Sequence, residues 1–272
     1  MPVKTRPPNM NAQPAGQSQQ ARERPPMLAN QTCVVTGASR GIGRAIAEEL
    51  GAHGAEVVVN YRSSEAEAYE VADAVEDAGG EAVPVQADVS ELDAVREMAE
   101  RTHEEFGPAS VLVNNAGLTV DKKFENMTRD DWDRVMGVNL GGVFNCTKTY
   151  FEDVRESEQG RLINISSVVG QQGNYGQANY ATTKAGLFGF TRTIALELAH
   201  EGSTANCVAP GFVMTDMLET VPERVKEKIL DRIPLDRFAT TDDVAGIVRF
   251  LASEDSSYMT GQILAVNGGM EW

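Results

Sequence analysis

Tyr180 and Lys184 stand four residues apart in Ala178-Asn179-Tyr180-Ala181-Thr182-Thr183-Lys184-Ala185-Gly186, and Ser167 closes an apolar run thirteen residues before the tyrosine. On a helix, residues four apart share a face, so the ammonium of Lys184 can stand beside the phenol of Tyr180 and favour its ionised form. A free tyrosine titrates near ~10 and serves acid–base chemistry poorly at neutral pH; an adjacent cation moves it toward the useful range. Taken alone, the pair is explained equally well by a surface helix carrying Tyr and Lys incidentally.

A second motif supplies the context that the pair lacks. Thr36-Gly37-Ala38-Ser39-Arg40-Gly41-Ile42-Gly43 lies between an apolar segment, Cys33-Val34-Val35, and a helical pattern, Arg44-Ala45-Ile46-Ala47-Glu48-Glu49-Leu50. Gly37 permits a tight turn, Gly41 lets a pyrophosphate approach the backbone, and Gly43 lets helix and strand pack closely, with the anion resting on the helix N-terminus. A second apolar strand, Val57-Val58-Val59, follows about one unit later and completes the strand–loop–helix–strand setting of a dinucleotide fingerprint.

From Thr32 onward, strand-like runs alternate with helix-length amphipathic segments, the pattern of repeated βαβ units and a parallel sheet. The runs predict strands over 32–36, 56–61, 82–87, 110–114, 161–166, 204–208 and 263–266. The fold class read from them is α/β, a single Rossmann-type doubly wound parallel sheet of about seven strands with helices on both faces. The charged helices 65–78 and 92–106 read as solvated outer layers.

These residues resemble the short-chain dehydrogenase/reductase family, from about Thr32 to the C-terminus. The glycine loop is similar to the family's Thr-Gly-x-x-x-Gly-x-Gly, and Asn114-Asn115-Ala116-Gly117 to its segment after the fourth strand. The resemblance implies a catalytic set of Asn139, Ser167, Tyr180 and Lys184, with Ser166 competing with Ser167 and the interval to Tyr180 favouring Ser167. Ser167 would hydrogen-bond a ketone oxygen, Tyr180 would deliver a proton to the forming alkoxide, and Lys184 would lower the tyrosine pKa and hold the nicotinamide ribose. Asn139 would position a water that refills the relay; the alternative is a helix-interior Asn satisfied by backbone.

The expected cofactor contacts are Gly37, Ser39, Arg40, Gly41, Ile42 and Gly43 in the loop, Asp88 and Val89 at the adenine, and Asn115, Ala116 and Gly117 on its ribose side. Tyr180, Lys184, Pro210, Gly211, Val213 and Thr215 complete that set around the nicotinamide. The second strand ends Asn60-Tyr61-Arg62-Ser63-Ser64 without a carboxylate, so Arg40 and Arg62 can grip a 2′-phosphate and the expected cofactor is NADP(H); Glu65 is the acid that could restore NAD binding.

Within the family, the stretches Asn174 to Tyr180, Leu118 to Asp121 and Val266 to Met270 look like the branch of acetoacetyl-CoA reductases and 3-oxoacyl-(acyl carrier protein) reductases. Substrate contacts implied by that resemblance are Asp121, Ser167, Asn174, Tyr175, Gly176, Gln177, Gly211 and Phe212, with Val213 near both ligands and a lid over 212–238. The lid charges Glu219, Glu223, Arg224, Lys226, Glu227, Lys228, Asp231 and Arg232 suit i,i+4 pairing, with Arg224, Lys226 or Lys228 as possible partners of CoA phosphates. Carrier-protein enzymes usually present a basic surface to an acidic partner, so the acidic surplus here favours acetoacetyl-CoA, reduced for polyhydroxyalkanoate synthesis, over the carrier-protein thioester of fatty-acid synthesis. Sugar or steroid dehydrogenases and a catalytically silent dinucleotide-binding regulator are further readings; the latter usually loses the tyrosine or lysine. A homotetramer, paired through the helices around 139–151 and 180–200, is implied by analogy.

Composition bounds the rest. A chain of 272 residues with 42% hydrophobic content can fill one large α/β core, and a mean hydropathy of -0.29 with no run of eighteen apolar residues argues against a membrane span. A net charge of -16 and a pI near 4.6 argue against nucleic acid as partner. Only seven of the 24 basic residues are lysine, which fits either a halophile's cytoplasm or ordinary acidic composition. Cys33, Cys146 and Cys207 read as buried thiols in a reducing compartment, and His53, His103 and His200 lie too far apart for a zinc signature, so no metal is expected. Residues 1–30 hold six of the eleven prolines and read as a disordered leader ahead of a domain over 31–272, either a regulatory tail or a start placed too far upstream, with Met10 or Met27 as alternatives.

Overall fold

The computed structural model describes residues 27–215, 218 and 221–271. Seven parallel strands form one sheet in the order β3-β2-β1-β4-β5-β6-β7: β1 (Thr32–Val35), β2 (Glu56–Tyr61), β3 (Glu81–Gln86), β4 (Val111–Asn114), β5 (Arg161–Ile165), β6 (Thr204–Pro210) and β7 (Ile263–Val266). Each expected strand forms; 56–61 and 263–266 keep their expected bounds and the others are displaced by a residue or two. The order reverses at β1, so β1 and β4 diverge in their connections and leave a crevice at their carboxyl ends.

Alternation along the strands explains why both faces are covered. Cys33 and Val35, Val57 and Val59, Val111 and Val113, and Ile163 and Ile165 point to one face. There they meet Ile46 and Leu50 of α1 (Gly41–Ala52), Val71 and Val75 of α2 (Glu65–Asp77), and Val244, Val248 and Leu251 of the late helix Thr241–Ala252. The residues between them, Val34, Val58, Leu112 and Leu162, face the opposite side. They pack on Met98 of α3 (Leu92–Glu105), on Cys146 and Tyr150 of a helix over Gly142–Glu156, and on Ala195 and Leu198 of a helix over Ala178–Leu198. Strands covered on both faces read as near-continuous apolar runs, here interrupted by buried, hydrogen-bonded amides such as Asn60, Asn114 and Asn164, and each fully buried aliphatic side chain contributes about 1.5–3 kcal/mol.

Among the described residues the remaining α-helices are α4 (Arg129–Met136), the Gly142–Glu156 helix as α5, α6 (Val168–Gln172), the Ala178–Leu198 helix as α7, α8 (Glu223–Leu230) and the Thr241–Ala252 helix as α9. Between α4 and α5 the chain runs through a π-helical segment, Gly137–Gly141. Leu28, which composition assigns to the leader, is fully buried in the core, and its N–H donates to the His53 carbonyl at 3.0 Å. Residues 1–26 of that leader, and Glu219 of the lid, lie outside the described residues. All three cysteines are free and buried. No helix among the described residues is long and apolar enough to cross a membrane.

Candidate active site

The glycine loop is fixed from both sides of the crevice. Thr36, one residue past β1, accepts through its hydroxyl from the backbone N–H of Asn115 at 2.9 Å and of Ala116 at 3.0 Å. Asn115 answers by donating its amide to the carbonyls of Thr36 and Gly37 at 2.9 and 3.1 Å. Asn60, at the end of β2, accepts from the Gly37 N–H at 3.1 Å and donates to the Val85 and Ala87 carbonyls at 3.3 and 3.1 Å. Asn60 is a site residue that sequence reasoning passes over as a missing carboxylate; a buried amide closing an apolar strand was the available signal.

Gly37 and Gly41 have φ of +61° and +57°, a region that side chains resist. Gly43 serves packing: a Cβ there would come within 2.3 Å of the Gly37 carbonyl oxygen and 2.5 Å of Asn115 Nδ2. The N-terminus of α1 has no side-chain cap and no acid in its first turn, so its N–H groups remain available to an anion. This cradle fits a dinucleotide pyrophosphate.

The loop opens into a cleft of about 870 Å³ along the carboxyl edge of the sheet. Gly37, Ser39, Arg40, Gly41, Ile42, Gly43, Arg62, Asp88, Val89, Asn115, Ala116, Gly117, Gly211, Val213 and Thr215, all expected at the cofactor, line it. Arg62 Nη1 stands 3.9 Å from the Asp88 carboxylate. Burial opposes ionisation of Asp88, but hydrogen bonds from Ser90 and the Arg62 guanidinium hold its carboxyl below the usual range. Pro210 ends β6 outside the cleft wall, beside Val266.

At the far end Ser167, Tyr180, Asp121, Asn174, Gln177 and Phe212 line the same cleft. The choice between the two serines is structural: Ser166 donates its hydroxyl to the Lys184 carbonyl at 2.7 Å, whereas Ser167 caps α6 and lines the cleft together with Tyr180. Tyr180 is half-buried, and burial is the main influence on its phenol, pushing it up to about 12; the Ser167 hydrogen bond acts against this and the Asp121 charge adds to it. Burial therefore outweighs the lowering that the spacing of Lys184 implied. Its ammonium is buried, donates to the Ile165 carbonyl at 2.7 Å, and lies 5.6 Å from the Tyr180 ring centroid, behind the cleft wall. Burial pushes this lysine down to about 8, with the Cys207 thiol acting the other way.

Asn139 sits in the π-helical segment, fully buried, a distortion that recurs at functional sites. Its amide accepts from the Leu118 N–H at 2.9 Å and donates to the Leu118 carbonyl at 3.0 Å and to Thr183 at 3.2 Å. The backbone-satisfied alternative thus describes this side chain, which clamps a loop instead of facing the cleft. Asn179 completes the clamp, donating to the Val120 carbonyl at 3.1 Å; nothing in the motif marks it beyond its place beside Tyr180.

Two expected substrate contacts lie elsewhere. Tyr175 is 79% exposed, with Lys123 6.0 Å from its ring, and Gly176 accepts through its carbonyl from the Lys122 N–H at 2.8 Å; neither lines the cleft. In the lid, α8 turns Val225 and Ile229 toward the cleft, joined by Leu218 and Val221, while Arg224 and Lys228 lie on other faces and are exposed. The lid cations expected at CoA phosphates are therefore not on its cleft face. The base of the lid is pinned where Ala239 and Phe212 exchange backbone contact, N–H to carbonyl at 3.0 Å. Among the described residues no His, Cys, Asp or Glu cluster is placed to hold a metal ion.

A family model described as Enoyl-(Acyl carrier protein) reductase matches residues 37–271. The chain is similar to the 3-oxoacyl-[acyl-carrier-protein] reductase FabG of Staphylococcus epidermidis, 46% identical over 241 residues that cover 89% of this chain and 99% of the relative. It is similar also to the protein of that name from Staphylococcus aureus, 45% identical over 244 residues covering 90% and 99%. A 3-oxoacyl-[acyl-carrier-protein] reductase of Synechocystis sp. is 48% identical over 244 residues covering 89% and 98%. With its glycine loop, parallel sheet and Ser167–Tyr180–Lys184 cluster, the chain belongs to the short-chain dehydrogenase/reductase family of oxidoreductases.

Proposed function

We propose that this protein reduces the ketone of a 3-oxoacyl thioester carried on acyl carrier protein, using NADPH. The observation that carries the reading is the cleft itself, which runs from the uncapped N-terminus of α1 to a serine and a tyrosine hydroxyl at one spot on the sheet edge. Curated relatives that match nearly end to end bear the carrier-protein name, which supports this thioester over acetoacetyl-CoA. The acidic surplus that favoured CoA, a net charge of -16, describes the whole surface and identifies no docking face.

Ser167 holds the ketone oxygen by a hydrogen bond, and the Tyr180 O–H passes its proton to that oxygen as it gains charge. When bound, the dihydronicotinamide supplies hydride to the carbon. Lys184 keeps a positive charge just behind the phenol, with the Ile165 carbonyl fixing its ammonium, and so steadies the phenolate left after transfer. Asn139 holds Leu118, and through it the Gly117 turn, where a Cβ would lie 3.4 Å from Asn139 Oδ1 and 3.6 Å from Lys184 Nζ. Arg40 and Arg62 are the cations that favour a 2′-phosphate. Exposed Phe144 and Leu196, on α5 and α7, offer apolar surface for a second copy in the tetramer that we expect.

The test follows NADPH loss with acetoacetyl carrier protein, acetoacetyl-CoA and a 2-enoyl thioester. The expected order of kcat/KM is carrier protein above CoA, with the enoyl substrate inert, and Tyr180→Phe lowering kcat by about 10²–10⁴-fold. Reduction of the enoyl thioester alone, or full turnover by Tyr180→Phe, would refute the proposal.

A further inference from the structure

Among the described residues four charged side chains line the cleft, and they are unevenly placed. Arg40, Arg62 and Asp88 belong to the end near α1 and β2; Asp121 is the one charged group among the described lining residues at the catalytic end. Cations near it are engaged elsewhere. Lys184 is buried behind Tyr180 on the Ile165 carbonyl, Lys122 holds both carboxylate oxygens of Asp131 at 2.9 and 2.7 Å, and Lys123 pairs with Glu125 at 3.8 Å.

The Asp121 carboxylate is also held in place. Gln177 Nε2 donates to both of its oxygens at 2.9 and 3.0 Å, and Asn174 Nδ2 donates to Gln177 Oε1 at 2.9 Å. Its loop is clamped by Asn139 at Leu118 and by Asn179 at Val120. The charge reaches the reacting group, since Asp121 is among the influences that oppose ionisation of Tyr180. With Gln177 committed to this carboxylate, the wall facing a substrate beside Tyr180 is negative.

We infer that Asp121 is a specificity-determining residue that excludes anionic substrates, so the site accepts 3-oxoacyl groups whose carboxyl is masked as a neutral thioester or ester and rejects free 3-oxo acids. In such an acid the ionised carboxylate lies two carbons from the ketone. Seating that ketone between Ser167 and Tyr180 brings the charge to the exposed Asp121 carboxylate, and like charges at close range repel. The masked substrate has the same carbon skeleton and lacks the charge. This inference rests on the reading of Tyr180 and Ser167 as the ketone-reducing pair.

The experiment compares ethyl acetoacetate with free acetoacetate for the full-length protein and for Asp121→Asn, Asp121→Glu and Gln177→Ala, reading the acid-to-ester ratio of kcat/KM. The wild-type ratio should be low, Asp121→Asn should raise it by about tenfold or more, and Asp121→Glu should keep it low. Gln177→Ala, which removes the tether and leaves the charge, should keep the ratio well below that of Asp121→Asn. Added salt should raise the wild-type ratio through screening and leave that of Asp121→Asn unmoved. An acid-to-ester ratio unchanged in Asp121→Asn, or as high in wild type as in that variant, would overturn the inference. A wild-type enzyme that reduces neither the ester nor any 3-oxoacyl thioester would instead defeat the underlying functional reading.

Discussion

Gly43 and Gly41 occupy one loop for different physical reasons, and replacing each with alanine should separate stability from binding. At Gly43 a methyl group would fall 2.3 Å from the Gly37 carbonyl oxygen, 2.5 Å from Asn115 Nδ2 and 3.0 Å from Ala38 Cα. All are well inside contact distance, and two of the three atoms belong to backbone. Overpacking of this kind costs about 1–3 kcal/mol. Asn115 must also retreat, weakening its two hydrogen bonds to the loop at about 0.5–1.5 kcal/mol each. Better helix propensity returns about 1 kcal/mol, leaving a net loss of roughly 1–5 kcal/mol from a total stability of about 5–15. At Gly41 the added methyl would meet, among the described residues, only Thr215 Cγ2, at 3.6 Å, and the cost is the left-handed backbone, about 1–2 kcal/mol. That methyl would stand in front of the N–H groups expected to receive the pyrophosphate. Urea unfolding of the apo protein should therefore place Gly43→Ala at the lower midpoint, while dinucleotide titration should show the larger stabilisation lost, relative to apo, in Gly41→Ala. Wild-type stability in Gly43→Ala, or a Gly41→Ala protein that binds dinucleotide as tightly as wild type, would refute the division of labour.

Between about pH 8 and 10 stability should follow three thiols and one amine, and above about 10 the phenols that burial raises, Tyr180 and Tyr150, add to the loss. Burial pushes Cys207 up to about 11, Cys146 to about 12 and Cys33 further, so unfolding releases their protons and stability declines as pH rises above about 9, the unfolded thiol value. Lys184 has the opposite sign: with its pKa pushed down to about 8, its burial penalty is fully present below that pH and is relieved toward 10.5. The urea midpoint should thus hold or rise slightly between pH 8 and 9 and then fall, and Lys184→Met should abolish the early rise alone; a midpoint climbing steadily to pH 10.5 would contradict the assignment. For the cofactor, Arg40→Ala and Arg62→Ala should each raise the KM for NADPH about tenfold and change that for NADH little, whereas equal losses with both would remove the 2′-phosphate role.

The sheet was legible because most strands carry a short apolar run, such as Val57-Val58-Val59 or Val111-Leu112-Val113, with helix-length amphipathic segments between them. The site was legible where residue type and spacing are forced by covalent geometry, as in the glycines at positive φ and in Tyr180 with Lys184 one turn on. What escaped depends on tertiary pairing. Asn60 and Asn179 went unmarked, while for Thr36, Asn115 and Asn139, which the motifs marked, the partners went unread: they lie on other elements, and sequence spacing cannot say which carbonyl an amide will meet. Electrostatics escaped for a related reason. Lys184 adjoins Tyr180 as expected, but burial outweighs its charge, and burial is a property of the assembled fold. Leu28 shows the same limit at the chain's start, where composition says leader and packing says core.

The reciprocal contacts between Thr36 and Asn115 have a bearing on recombination. One partner comes from the first half of the sheet and the other from the second, joined immediately beneath the phosphate cradle. A chimera that grafts a foreign cofactor half onto this catalytic half with a crossover between β3 and β4 inherits one side of that stitch from each parent. Such grafts should work only when the donor brings a hydroxyl at position 36, or when the 114–117 segment travels with it; the halves look modular in outline but share a seam.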